Sequence, residues 1–279
     1  MRVTEQEKRA AEFDKTGEYN KDTIDLNKCH YHDVEDNYDY LKNNLLYRIL
    51  ALIVKGILRI YVPLHDLIMY HLKIEGKQNL KKVKGKGVIG ICNHSQYMDM
   101  AISRFAFYNK KYYCTSAIFN NKNGFGGKMM KALGSLPLSP KPSAQRKLGE
   151  TIKKLTKKNT AVMFYPEKAM WKNYRKPRPF MKGAFYYAVK ANVPIVPMFV
   201  LYRDNKKLDK ITKRKNRLTL KIMQPIYPNM ELNEKMRIEY MRDNAQYMFN
   251  VEYEKFYGKP NDVIAVLNPD EHMEKYLNS

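Results

Sequence analysis

The sequence predicts an α/β fold: a mixed, largely parallel central sheet flanked by helices, preceded by an amphipathic helical membrane-docking segment. Three observations carry this. From Lys82 onward, short apolar runs alternate with stretches of helical periodicity, the pattern of a sheet with connecting helices. Residues 44–73 are almost wholly aliphatic, interrupted by Arg48, Lys55 and Arg59. The 279 residues, 44% of them hydrophobic, suffice for a substantial core and exclude wholesale disorder.

Residues 1–40 are polar, with acidic and aromatic residues mixed and few aliphatics, and read as a loose or surface-draped segment. Residues 41–75 read as amphipathic, membrane-associating helices. At ~100° per residue, Arg48, Lys55 and Arg59 fall within about 40° of one another, a narrow basic stripe on an apolar circumference. Pro63 predicts a break into a second short helix. Such a helix either lies in a membrane interface, its cations against lipid phosphates, or covers the sheet with its cations in water. The wholly basic stripe favours the membrane. Residues 76–279 then form the main domain. Val88–Cys92, Tyr112–Ile118, Ala161–Tyr165, Pro194–Tyr202 and Leu218–Met223 read as strands. Met98–Phe107, Ala144–Lys157, Lys182–Ala191 and Asn233–Phe256 read as helices.

The 51 Lys and Arg against 28 Asp and Glu leave a net charge of +23, which calls for an anionic partner: nucleic acid, a phospholipid surface or a phosphorylated substrate. No apolar stretch approaches the ~20 residues of a membrane-spanning helix. The polar N-terminus shows no secretory signal. The scattered Cys29, Cys92 and Cys114 predict a reducing, cytosolic setting without disulfides.

Several motifs fail on context. Gly85-Lys-Gly87-Val-Ile-Gly90 has the letters of a dinucleotide fingerprint, but it follows a lysine-rich loop and runs into a strand. Gly127-Lys128 lacks the upstream glycine of a phosphate-binding loop. Cys29, His30, His32 and Asp33 have no second cluster to complete a metal site. No G-x-S-x-G nucleophile elbow occurs.

Two strand ends carry stronger signals. In Asn93-His94-Ser95-Gln96-Tyr97-Met98-Asp99, His94 falls where an apolar strand stops and a helix begins. A turn there brings the Asp99 carboxylate to one ring nitrogen and leaves the other as a general base. The plainer alternative is a helix-capping Asn93 beside a surface His–Asp pair. At the second, Tyr165-Pro166-Glu167-Lys168 leads into Trp171-Lys172-Asn173-Tyr174-Arg175-Lys176-Pro177-Arg178-Pro179. Cations and aromatics among prolines suit phosphate recognition, or make a solvated basic loop around a packing anchor, Trp171.

The order of residues is recognisable. Asn93-His94 to Asp99 resembles the N-H-x4-D motif of the 1-acylglycerol-3-phosphate acyltransferase family. Gly134-Ser135-Leu136-Pro137-Leu138 resembles its second motif, Tyr165-Pro166-Glu167 its F-P-E-G-T-R motif, and Val193-Pro194-Ile195-Val196-Pro197 its V-P-I-x-P motif. The resemblance covers roughly residues 75–225, and the segment at 44–73 resembles the membrane-docking helices of bacterial members.

The resemblance implies transfer of a fatty acyl group from an acyl thioester, acyl-CoA or acyl-carrier protein, to a hydroxyl of a lysophospholipid in phospholipid biosynthesis. The expected acceptor is 1-acylglycerol-3-phosphate. His94 would deprotonate the hydroxyl, Asp99 would orient His94, and Glu167 with its loop would bind the glycerol phosphate. No cofactor is expected. The implied place is the cytoplasmic face of the cell membrane, held peripherally on anionic lipid.

The chain departs from the pattern where the acceptor phosphate would bind. Pro140 stands for the second motif's arginine, with Lys141 one place on, and Lys168, Ala169 and Met170 replace Gly, Thr and Arg. Lys168, Arg175 and Arg178 are the expected replacement clamp. The rival readings are a non-catalytic basic peripheral membrane protein binding anionic lipid, and a nucleic-acid binder. No nucleic-acid module is visible to support the latter.

Overall fold

A computed structural model describes residues 4–25, 31–35, 38–41, 44–122, 124–204 and 217–277; Cys29 and His30 of the weighed metal cluster lie outside them. The elements are α1 (Glu5–Thr16), α2 (Leu45–Tyr70), β1 (Lys73–Glu75), β2 (Val88–Cys92), α3 (Asp99–Arg104), β3 (Lys111–Ser116), α4 (Gly124–Leu133), β4 (Ser135–Pro137), α5 (Pro142–Thr156), β5 (Thr160–Phe164), α6 (Gly183–Ala191), β6 (Ile195–Arg203), β7 (Arg217–Ile222), α7 (Glu234–Tyr257) and α8 (Glu274–Leu277).

The strands form one sheet in the order β1-β7-β6-β2-β5-β3-β4. Neighbours pair in parallel except β6 with β7. Continuous apolar runs make β2 and β5 because both faces of the sheet are covered, so every side chain of these two strands is buried. One face packs against α5, α6 and α7 through residues such as Leu148, Phe185 and Phe249. The other packs Ile102 and Phe107, from α3 and the turn after it, against Met163 and Met198. Gly90 belongs in β2 because a Cβ there would come within 2.8 Å of Met163 Sδ and of the Phe107 ring.

The expected strands and helices are present with ends shifted by at most three residues. The three-residue strands β1 and β4 are additional, and so is α4. Of the loose and surface-draped readings of the N-terminal segment, its described residues take the second: α1 is closed by a capping box between Thr4 and Glu7, and Ala10 and Phe13 pack with Trp171. One expectation changes. Residues 45–70 form one helix, unbroken at Pro63. A proline supplies no N–H, so one rung is absent and the flanking hydrogen bonds carry the helix through.

The orientation of α2 is also not the expected one. Lys55 is half-buried and donates to the Ala132 carbonyl of α4 at 3.0 Å, and Arg59 stacks over the Tyr108 ring at 4.1 Å. Arg48 and Arg59 are exposed, and Lys55 is the stripe cation drawn in. The opposite side, with Leu46, Ile49, Ile53, Ile57, Ile60 and Leu64, faces outward. Lys55 and Arg59 thus contact the protein, Arg59 while still exposed, and the aliphatics face away from it. No helix among the described residues is long and apolar enough to cross a membrane.

Candidate active site

Sheet register brings the two strand ends together. In the parallel pair β2 and β5, Ile91 lies opposite Phe164, so both chains leave the sheet side by side. On the other side of β2, Cys92 lies opposite Met198 of β6. The Asn93 side chain extends that pairing, donating to the Val200 carbonyl at 3.2 Å and accepting from Val200 N at 2.8 Å. Asn93 therefore fixes the turn to the sheet rather than capping a helix.

The turn that follows closes on itself. Asp99 Oδ2 lies 2.8 Å from His94 Nδ1 and accepts from Ser95 N at 2.7 Å and Gln96 N at 2.9 Å. Asp99 is 1% exposed, so the pair is not a surface pair. Three donors on one oxygen hold the carboxylate in place, and it also opens α3, where a negative charge is favoured. With Asp99 accepting from Nδ1–H, Nε2 is left as the basic ring nitrogen. The imidazole side chain is 25% exposed. Tyr165 stacks on it at 4.1 Å between centroids with an 18° tilt.

A polar network supports the turn from below. Gln96 Nε2 donates to Asn173 Oδ1 and to the Tyr202 hydroxyl, both at 2.8 Å. The Tyr202 hydroxyl donates to the Ser95 carbonyl at 3.1 Å. Gln96 belongs to the turn itself, whereas Tyr202 comes from β6, and only the fold joins them.

Glu167 arrives at the same place from β5. Its Oε2 accepts from His94 N at 3.2 Å and from Arg178 Nη2 at 2.8 Å, and its Oε1 from Arg178 N at 3.1 Å. Glu167 is 2% exposed and Arg178 is 0% exposed. Arg178 further donates to the Tyr19 and Ala169 carbonyls and stacks over Trp171.

The expected phosphate clamp is therefore not assembled. Arg178 faces inward because it neutralises a buried carboxylate. Arg175 makes a two-pronged pair with Asp204, 2.7 Å at each contact, which raises its pKa further. Lys168 alone of the three is exposed, in a left-handed turn with φ of 70°. Lys141 pairs with Asp33 at 3.4 Å. Trp171 is the expected packing anchor, fully buried beneath Phe13, Tyr19 and Tyr174.

Other groups near the turn are poor nucleophiles. Burial pushes the Cys92 thiol far up, helped by the charges of Asp99 and Glu167, and lifts Cys114 to about 12. Burial also raises the Tyr165 phenol. An apolar cavity of about 120 Å³ opens between α2 and the sheet, lined by Leu58, Met100, Phe105, Tyr108, Tyr112 and Leu133 among others. Met100 is the residue after Asp99.

Comparison with known proteins agrees with this geometry. The model of the Acyltransferase family matches residues 71–201, which include the His94 turn and the loop after β5. A chloroplastic 1-acyl-sn-glycerol-3-phosphate acyltransferase of Brassica napus is 29% identical over 133 residues, 47% of this chain and 38% of that protein. The aligned part of this chain thus spans well under half of that relative. The crystal structure of the 1-acyl-sn-glycerophosphate acyltransferase PlsC from Thermotoga maritima superposes with a TM-score of 0.52 at 16% identity, covering 75% of this chain and 82% of that one. The two folds are alike. Over residues 71–201 the chain is similar to the Acyltransferase family.

Proposed function

We propose that the protein is an O-acyltransferase of the lysophosphatidic acid acyltransferase type, moving a fatty acyl group from an acyl thioester to the free hydroxyl of a lysophospholipid. The observation that carries this is the 2.8 Å contact of His94 with a buried, triply bonded Asp99. His94 Nε2 takes the proton of the acceptor hydroxyl while the hydroxyl oxygen attacks the thioester carbonyl. An ester C–O bond forms, the C–S bond breaks, and the imidazolium returns its proton to the leaving thiolate. Asp99 offsets the charge on the imidazolium. The raised thiols of Cys92 and Cys114 agree with direct transfer, without an acyl-enzyme.

The acyl chain enters the apolar cavity beside Met100, with α2 as its outer wall. The outward aliphatic face of α2 docks peripherally on the cytoplasmic leaflet, where the donor, acyl-CoA or acyl-carrier protein, and the lysolipid meet in phospholipid biosynthesis. Apolar burial, more than the three cations, drives this docking. The test is acyl transfer from both donors to a panel of lysophospholipids. His94→Ala should lose about 10²–10⁴-fold in rate. Activity within about threefold of wild type would refute the general-base assignment.

A further inference from the structure

One side chain of the N-terminal segment has no part in the chemistry above. Trp171 Nε1 donates to the Lys21 carbonyl at 2.9 Å, and Thr23 Oγ1 donates to the Met170 carbonyl at 3.0 Å. Trp171 N in turn donates to the His94 carbonyl at 3.0 Å. Asp22, between the two anchors, is therefore held against the His94 turn and the loop after β5. Its half-buried carboxylate lies in the fields of Lys168, Arg178 and His94, with no hydrogen bond to any of them.

Arg178 is committed to Glu167 and two carbonyls. The exposed cation nearest in character to a ligand group is Lys168, held at φ 70° where a glycine would be unstrained. Asp22 and Lys168 attract each other, yet neither satisfies the other. A bare phosphate monoester placed here would gain one lysine and face an adjacent carboxylate. A head group with both a phosphate and an ammonium would complement both charges.

Resting on the acyltransferase reading, we infer that Asp22 is a specificity-determining residue of the acceptor subsite, selecting lysolipids whose head group carries an ammonium beside its phosphate. Lys168 meets the phosphate and Asp22 the ammonium. Burial raises the Asp22 carboxyl above its ordinary value against the pull of the neighbouring cations, a desolvation that a bound ammonium relieves.

The test uses the full chain with three acceptors of equal acyl length: 1-acylglycerol-3-phosphate, 1-acylglycerophosphoethanolamine and 1-acylglycerophosphoglycerol. Wild type should turn over the ethanolamine acceptor with a kcat/KM about tenfold above the other two. Asp22→Asn, nearly isosteric, should remove that preference while changing the glycerol acceptor by less than about threefold. Lys168→Gln should lower the ethanolamine and glycerol acceptors together. A wild-type preference for the bare phosphate acceptor, or an Asp22→Asn loss equal across all three, overturns the inference and leaves the acyltransferase reading standing. Absence of His94-dependent transfer to any acceptor overturns both. Circular dichroism and thermal unfolding of Asp22→Asn show whether any uniform loss comes from folding.

Discussion

The turns that follow β2 and β5 each hold a buried carboxylate that accepts backbone N–H groups, but they use it differently. Asp99 faces a histidine whose side chain is 25% exposed, so one end of the pair is fixed and the other is open to a reactant. Glu167 faces Arg178, and neither is open: the pair is closed on both sides and joins the His94 backbone to the loop. The first turn presents an accessible ring nitrogen; the second supplies rigidity. A charge near a site becomes a ligand only where its donors are unspent and solvent can be displaced from it. Arg178 fails both conditions, while Lys168 remains exposed.

The contrast predicts a graded response to removing cations. Arg178→Ala strands Glu167 as a buried, uncompensated carboxylate, and should cost about 3–5 kcal/mol of stability in denaturant unfolding. Its loss of activity should follow the unfolded fraction and be the same for phosphorylated and phosphate-free acceptors. A stable Arg178→Ala with a selective defect on phosphorylated acceptors would break the contrast and return Arg178 to the acceptor site.

The same distinction holds on α2, where Lys55 is half-buried against α4 and burial lowers its pKa, while Arg59 stacks on Tyr108 and Arg48, in the exposed part of the stripe, makes no such contact among the described residues. Ile53→Ser with Ile57→Ser should weaken vesicle binding by about 2 kcal/mol, roughly thirtyfold, on anionic and neutral vesicles alike. Arg48→Gln, at the exposed end of the stripe, should cost about 1 kcal/mol and only on anionic vesicles at low salt. Flotation assays measure both. A larger effect from Arg48 than from the isoleucine pair would restore the expected electrostatic docking.

The smallest effect belongs to Arg175. Its pair with Asp204 is partly exposed, so Arg175→Ala should change stability by less than about 1 kcal/mol. Activity should stay within about threefold on every acceptor. A loss confined to phosphorylated acceptors would make Arg175 a ligand after all.

How much of this was legible in the sequence follows from range. Val88–Cys92 and Ala161–Phe164 are continuous apolar runs, so the buried parallel strands could be read locally, and the His94 turn at the end of one of them likewise. The strands β1 and β4 are three residues each, too short for a pattern. The N-terminal helix had one readable mark, Thr4 three residues before Glu7, but with Ala10 its one buried residue among few apolar ones it had no periodic stripe. The Glu167–Arg178 pair spans a proline-rich loop, and Asp22 meets the site through contacts some 150 residues away in sequence. Neither leaves a local signature. The charge stripe on α2 was visible, but which side of the helix meets the protein depends on α4, whose own sequence is rich in glycine.

The central claim is that His94 and Asp99 act as one unit in acyl transfer. A cycle of His94→Ala, Asp99→Asn and the double variant, assayed on one acceptor and one donor, tests it most directly. If the pair is a unit, Asp99→Asn alone is severely impaired, and the double variant loses no more than His94→Ala alone. Losses that simply add, or a fully active Asp99→Asn, would contradict it.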